Sequence, residues 1–170
     1  MKARMLVWLI LPVATAWVRY QQQQILKHGK PLDKQQQEDA RTLGIQHPEK
    51  VRLNVVNPVP LPFVPTFLYS FLVTRSWFPG QIAGMTLGYG INLHPWWGNS
   101  REIIAHELAH VAQYERLGGV KAFLKSYLLE CLEKGYPYGP LEKEAIQKQR
   151  AICPPCVSVQ SHAAKTEPPV

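Results

Sequence analysis

Cysteine is scarce in this chain of 170 residues, and the three present, Cys131, Cys153 and Cys156, are an odd number that excludes a complete disulfide framework. Cys153 and Cys156 frame "CPPC", the spacing of a redox dithiol or half a zinc site. The pair sits in a Pro-rich tail without the strand and helix that lower a thiol pKa. A second such pair is missing, which argues against a zinc ribbon. Charge is sparse as well. Only 18% of residues are charged, and the formal net charge of +7 is scattered instead of gathered in a stripe, so no nucleic-acid partner is expected. Internal repeats are absent, and no apolar run reaches the roughly 20 residues of an ordinary membrane-spanning helix. The length suits one domain with a real core.

The most apolar stretch near the N-terminus, Met5 to Val18, follows the basic Lys2 and Arg4 and carries Ala14 and Ala16 in an A-x-A arrangement. Residues 1–20 read as a signal-like or membrane-anchor segment, with Trp17 and Tyr20 suited to an interface. Export or membrane anchoring is expected over a cytoplasmic location; a packed helix of the domain is the competing reading. Residues 21–152 are expected to form the domain. Residues 153–170, rich in Pro, Ser and Ala, read as a disordered tail.

Within the domain, Asp33 as N-cap and Gly44 as stop predict a polar helix from about Lys34 to Leu43. "KVRLNVVN" alternates Val51, Leu53 and Val55 as a strand does. Prolines 58, 60, 62 and 65 make an extended apolar loop, and "FLYSFLVTRSWF", residues 67–78, suggests a short buried helix. "GMTLGYGINL" reads as one further strand, with Met85, Leu87, Tyr89 and Ile91 on one side. Its Gly88 and Gly90 fit either a close approach of another backbone, as when an extended peptide adds to an edge, or a simple bend. Three helices follow: one from Arg101 to about Leu117, capped by Ser100 and ended by Gly118 and Gly119; one ending at Gly135; and one with Pro140 at its first position.

The chemistry lies in "REIIAHELAHVAQYE". Four residues apart on a helix, His106 and His110 project from one face and can share a cation, and Zn²⁺ takes such nitrogen ligands. Glu107 stands beside that ion, where its carboxylate can take a proton from water, which is the mechanical content of H-E-x-x-H. Around the three, Ile103, Ile104, Leu108, Ala109, Val111 and Ala112 are apolar, so the polar trio interrupts an otherwise hydrophobic element. The extended motif H-E-x-x-H-x-x-G-x-x-H is excluded, because Gln113 and Arg116 occupy its glycine and third histidine. His94 is read as a loop residue near the rim. A third ligand is therefore sought in "PLEKEA", where Glu142 and Glu144 both lie in the first turns of the last helix.

"REIIAHELAHVAQYE" together with "GPLEKEA" resembles the gluzincin branch of zinc metallopeptidases, in particular small single-domain minigluzincin-like proteins. The resemblance covers about residues 50 to 150. It implies a third zinc ligand on a downstream glutamate helix, in an E-x-x-A-D-like pattern that starts at Glu142 and has Ala145 at its fourth place. Ile146 stands at the usually acidic fifth place, which keeps Glu144 as the alternative. The implied fold is α+β and zincin-like, a small mixed sheet on the active-site helix followed by the glutamate helix. The implied activity is hydrolysis of peptide bonds with Zn²⁺ as cofactor and Glu107 as general base. "MTLGYGINL" would then be a rim strand, with Thr86, Gly88, Tyr89 and Gly90 contacting a peptide or protein substrate. Tyr136, Tyr138 and Tyr89 are candidate oxyanion donors, and Trp96 and Trp97 a candidate apolar subsite. The competing reading is a non-catalytic zinc-binding module that recognises a peptide, and membrane association through the N-terminal segment is a further expectation.

Overall fold

Apolar residues four and seven apart, Val7, Leu11, Val18 and Ile25, line one side of a continuous helix α1, Lys2–His28. The computed structural model describes residues 2–60 and 82–154; the helix expected over 67–78, and the tail beyond residue 154 with Cys156, lie outside the described residues. The boundary expected at residue 20 falls inside α1. Val7 and Leu11 are only 1% and 2% exposed, so this part of α1 packs with the rest of the chain.

After α1 a two-residue strand β1, Lys30–Pro31, leads to α2, Lys34–Thr42. Asp33 caps α2 as expected: its side chain accepts from Gln36 N while the Gln36 side chain accepts from Asp33 N. Strand β2, Arg52–Val55, follows a short 3₁₀ turn at Pro48–Lys50. The stretch expected to be one strand is two, β3 (Gly84–Leu87) and β4 (Gly90–Leu93), joined by the two-residue turn Gly88–Tyr89. Gly88 has φ of 69°, a conformation in which glycine costs least. The sheet order is β1-β2-β4-β3, with β2 and β4 parallel and the other pairs antiparallel.

That turn resets the alternation of side chains. Met85 and Leu87 face α1 with Ile25, whereas Ile91 and its partner Thr86 face the opposite way. Gly90 lies under α1 so closely that a Cβ there would come 2.9 Å from Ile25 Cβ. Tyr89, expected on the Ile91 side of a single strand, is instead in the turn.

The other face of the sheet rests on α3, Arg101–Leu117, whose Ile104, Leu108 and Val111 join Ile91, Leu93, Val51 and Leu43 in the main core. Ser100 caps α3 and Gly118, with φ of 89°, ends it, both as the sequence predicts. Helices α4, Val120–Lys134, and α5, Pro140–Ile152, are the last elements among the described residues. Helix α4 packs along α1, and α5 packs across α3. The architecture is α+β, a mixed four-stranded sheet between α1 and α3, and it leaves one face of α3 looking at the start of α5.

Candidate metal centre

The i, i+4 spacing places the rings of His106 and His110 with centroids 4.9 Å apart and Nε2 atoms 3.2 Å apart. Pro140 opens α5, and the Glu130 carboxylate accepts from Leu141 N at 2.8 Å, which pins the first turn against α4. Glu142 follows in that turn, where the helix dipole favours a carboxylate. Its Oε2 is 3.4 Å from His106 Nε2 and its Oε1 is 3.5 Å from His110 Nε2. Two ligand atoms of a tetrahedral ion bound at 2.0–2.1 Å lie about 3.3–3.4 Å apart. The three observed separations are of this size.

Which ring nitrogens face inward is fixed from behind. His106 Nδ1 is 3.1 Å from Gln149 Oε1, and His110 Nδ1 is 2.9 Å from Gln113 Oε1. Neither amide can be turned round. Gln149 Nε2 donates to Glu102 Oε1 at 2.6 Å, and Gln113 Nε2 donates to the Leu141 carbonyl at 2.9 Å and to Glu144 Oε2 at 3.1 Å, all acceptors only. Both Nδ1 atoms must therefore carry the hydrogen, and in the neutral rings both Nε2 lone pairs point at Glu142.

The carboxylate is held too. Tyr127 of α4 donates to Glu142 Oε1 at 2.5 Å, while Oε2 is buried and receives no hydrogen bond. A buried carboxylate with one oxygen lacking a donor, set opposite two nitrogen lone pairs, fits a cation between them. Burial pushes the Glu142 carboxyl up, but the two imidazoles and Tyr127 outweigh it and hold it well below the usual carboxylate range. For His110 burial pulls the imidazole down, and the neighbouring Glu142 outweighs that and leaves it raised. His106, His110 and Glu142 form a group able to hold a metal ion.

Of the two carboxylates the sequence offers, Glu144 is engaged elsewhere. It accepts from Arg116 at 2.8 and 2.7 Å and lies 3.4 Å from Lys148 Nζ. Ile146, at the usually acidic place, supplies nothing; the amides of Gln149 and Gln113 hold the imidazoles instead.

Glu107 is 6% exposed, and the Thr86 hydroxyl donates to its Oε2 at 2.6 Å. Gly84 on β3 clears space for this carboxylate, because a Cβ there would fall 2.8 Å from Glu107 Oε1. Thr86, expected against substrate, thus binds Glu107. Gly88, Tyr89 and Gly90 are not brought to the trio. Gly88 and Gly90 are covered by Gln22 and Ile25 of α1, and Tyr89 donates to Glu115 at 2.9 Å.

Among the tyrosines, Tyr138 is exposed, whereas burial pushes the Tyr136 phenol up, with the charges of Glu142 and Glu107 adding to it. Burial, helped by the Glu142 and Glu130 charges, pushes the Cys131 thiol up to about 12, so it stays protonated. His94 accepts from Trp96 N at the Pro95–Trp97 turn, and Trp96 and Trp97 are exposed.

Sequence reasoning missed Tyr127, Gln113, Gln149 and Glu102. Gln113 had a visible signal, since it follows His110 by three on the same helix face. The others depend on how α4 and α5 pack. Comparisons with protein-family models, curated proteins and solved structures return no match to this chain.

Proposed function

We propose that the chain is a zinc-dependent metallopeptidase of the gluzincin kind on a zincin-like fold. The observation that carries this reading is the trio itself: two imidazoles, His110 buried and His106 partly so, held with Nε2 inward opposite a buried carboxylate of which one oxygen has no donor. Zinc, when bound there, supplies a Lewis acid that polarises a carbonyl and lowers the pKa of water toward about 7. His106, His110 and Glu142 would hold the ion, and its identity as zinc rests on the two imidazoles and one carboxylate.

Glu107 is the general base in this proposal. Thr86 orients its carboxylate beside the histidines, where it takes a proton from the attacking water and returns it to the leaving amine. Tyr136, half-buried near the charges of both Glu107 and Glu142, keeps its proton and is a candidate donor to a developing oxyanion.

A non-catalytic metal-binding module is the second reading, favoured by the low exposure of Glu107 and by its bond to Thr86. One substitution separates the two. Glu107→Gln is expected to keep one zinc per chain while abolishing chelator-sensitive hydrolysis of unfolded casein. If wild-type protein with full zinc cleaves nothing, the module reading replaces the enzyme. Turnover that persists in Glu107→Gln refutes the role given to Glu107.

A further inference from the structure

From Met5 to Val13, α1 carries apolar residues on every side. Val7 and Leu11 are buried in the domain, yet on the outward side Met5, Trp8, Leu9 and Val13 are exposed, Leu9 at 76% and Val13 at 73%. Such a helix has an apolar medium on both sides. The outward pattern is confined to these turns. Further along, the exposed positions are mostly polar, including Arg19, Gln23, Gln24 and Lys27.

Three basic groups lie beside the ridge. Arg4 and Arg19 are exposed at its two ends, and Lys125 of α4 holds its Nζ 5.2 Å from the centroid of the Trp8 ring. No Asp or Glu occurs before Asp33. A second copy of the chain is a poor occupant, because a two-fold contact through this ridge would bring Arg4 and Lys125 toward their own images.

We propose that this ridge is a membrane-surface site. The first turns of α1 lie in the boundary between headgroups and acyl chains of an anionic bilayer, with Met5, Trp8, Leu9 and Val13 inserted and Arg4, Arg19 and Lys125 at the headgroups. Met5 to Val13 extends about 12–14 Å along the axis, against a hydrocarbon core of about 30 Å. Among the described residues no helix is long and apolar enough to cross a membrane. The opposite side of α1 is occupied by the chain's own core. Attachment parallel to the surface meets all three conditions, and it is independent of the metal site.

The test is co-sedimentation of the full chain with phosphatidylcholine vesicles, with or without phosphatidylglycerol, at low and high salt. Binding is expected to the anionic vesicles, weaker at high salt, with bromine-labelled acyl chains quenching tryptophan emission. The double variant Leu9→Glu, Val13→Glu changes only exposed positions. It is expected to keep the wild-type circular dichroism and melting temperature and to lose about tenfold or more in partitioning. A second variant, Lys125→Glu, is expected to weaken binding to anionic vesicles without altering the fold. Absence of binding to anionic vesicles overturns the proposal. So does a wild-type dimer that the double variant converts to monomer, which would make the ridge a contact between copies. Quenching that Trp8→Phe leaves unchanged would mean that another part of the chain meets the lipid.

Discussion

Replacing Tyr127 with Phe removes one oxygen and tests how Glu142 is aimed. In the wild-type chain the Tyr127 hydroxyl holds Oε1, and Oε2 is the oxygen left without a donor. Burial first, and then the Glu142 charge, push the Tyr127 phenol well above its ordinary value, so the donor survives across any working pH. A hydrogen bond to a charged acceptor contributes about 1.5–3 kcal/mol, and loss of a group that orients a metal ligand weakens metal affinity by about 10–100-fold. Tyr127→Phe is therefore expected to melt lower than wild type when metal-free. It is also expected to bind zinc about 10–100-fold more weakly in competition with a chromophoric chelator. The cobalt-substituted protein adds a readout that simple destabilisation would not move. With both carboxylate oxygens free to approach the ion, its visible spectrum is expected to weaken toward higher coordination. A folded Tyr127→Phe protein with zinc affinity within about twofold of wild type, against the usual 10–100-fold, and an unchanged cobalt spectrum would refute the reasoning.

Gln149→Leu leaves His106 Nδ1 without its acceptor, so the ring loses its fixed tautomer; zinc affinity is expected to fall about tenfold or more while the melting temperature of the metal-free protein changes little. Gly84→Ala puts a Cβ 2.8 Å from Glu107 Oε1. The carboxylate end is the part that yields, so casein turnover is expected to fall about tenfold or more at unchanged zinc content. Away from the site, Arg101 donates to buried Asp39 through two bonds of 2.9 and 2.8 Å and holds that carboxyl below its ordinary 3.8. A depressed carboxylate stabilises the fold above its unfolded pKa and loses that contribution as the pH falls through the folded value. Arg101→Met is therefore expected to cost about 1–3 kcal/mol in urea unfolding at neutral pH, and the gap should close as the pH falls through the folded value.

Helices α2, α3 and α5 were legible because their ends are written locally. Asp33, Ser100, Gly118 and Pro140 each act within one turn, and each stands where the sequence predicts. The hairpin was not legible as such. "GMTLGYGINL" alternates well enough for one strand, and only the αL conformation of Gly88 shows that Gly88 and Tyr89 form a turn and that the phase restarts. The close neighbours that Gly88 and Gly90 accommodate, Gln22 and Ile25 of α1, come from a helix distant in sequence.

At the metal centre the split between legible and hidden follows from distance along the chain. The pair His106 and His110 is a property of one helix. The choice between Glu142 and Glu144 is a property of two, and it turns on which carboxylate Arg116 captures. That capture has a second effect. Glu144, held by Arg116, also accepts from Gln113, and Gln113 in turn fixes His110. The carboxylate left out of the candidate trio therefore helps set the tautomer of a histidine within it. Glu144→Ala would leave His106, His110 and Glu142 in place and would still weaken the hold on the Gln113 amide, which would keep only its bond to the Leu141 carbonyl.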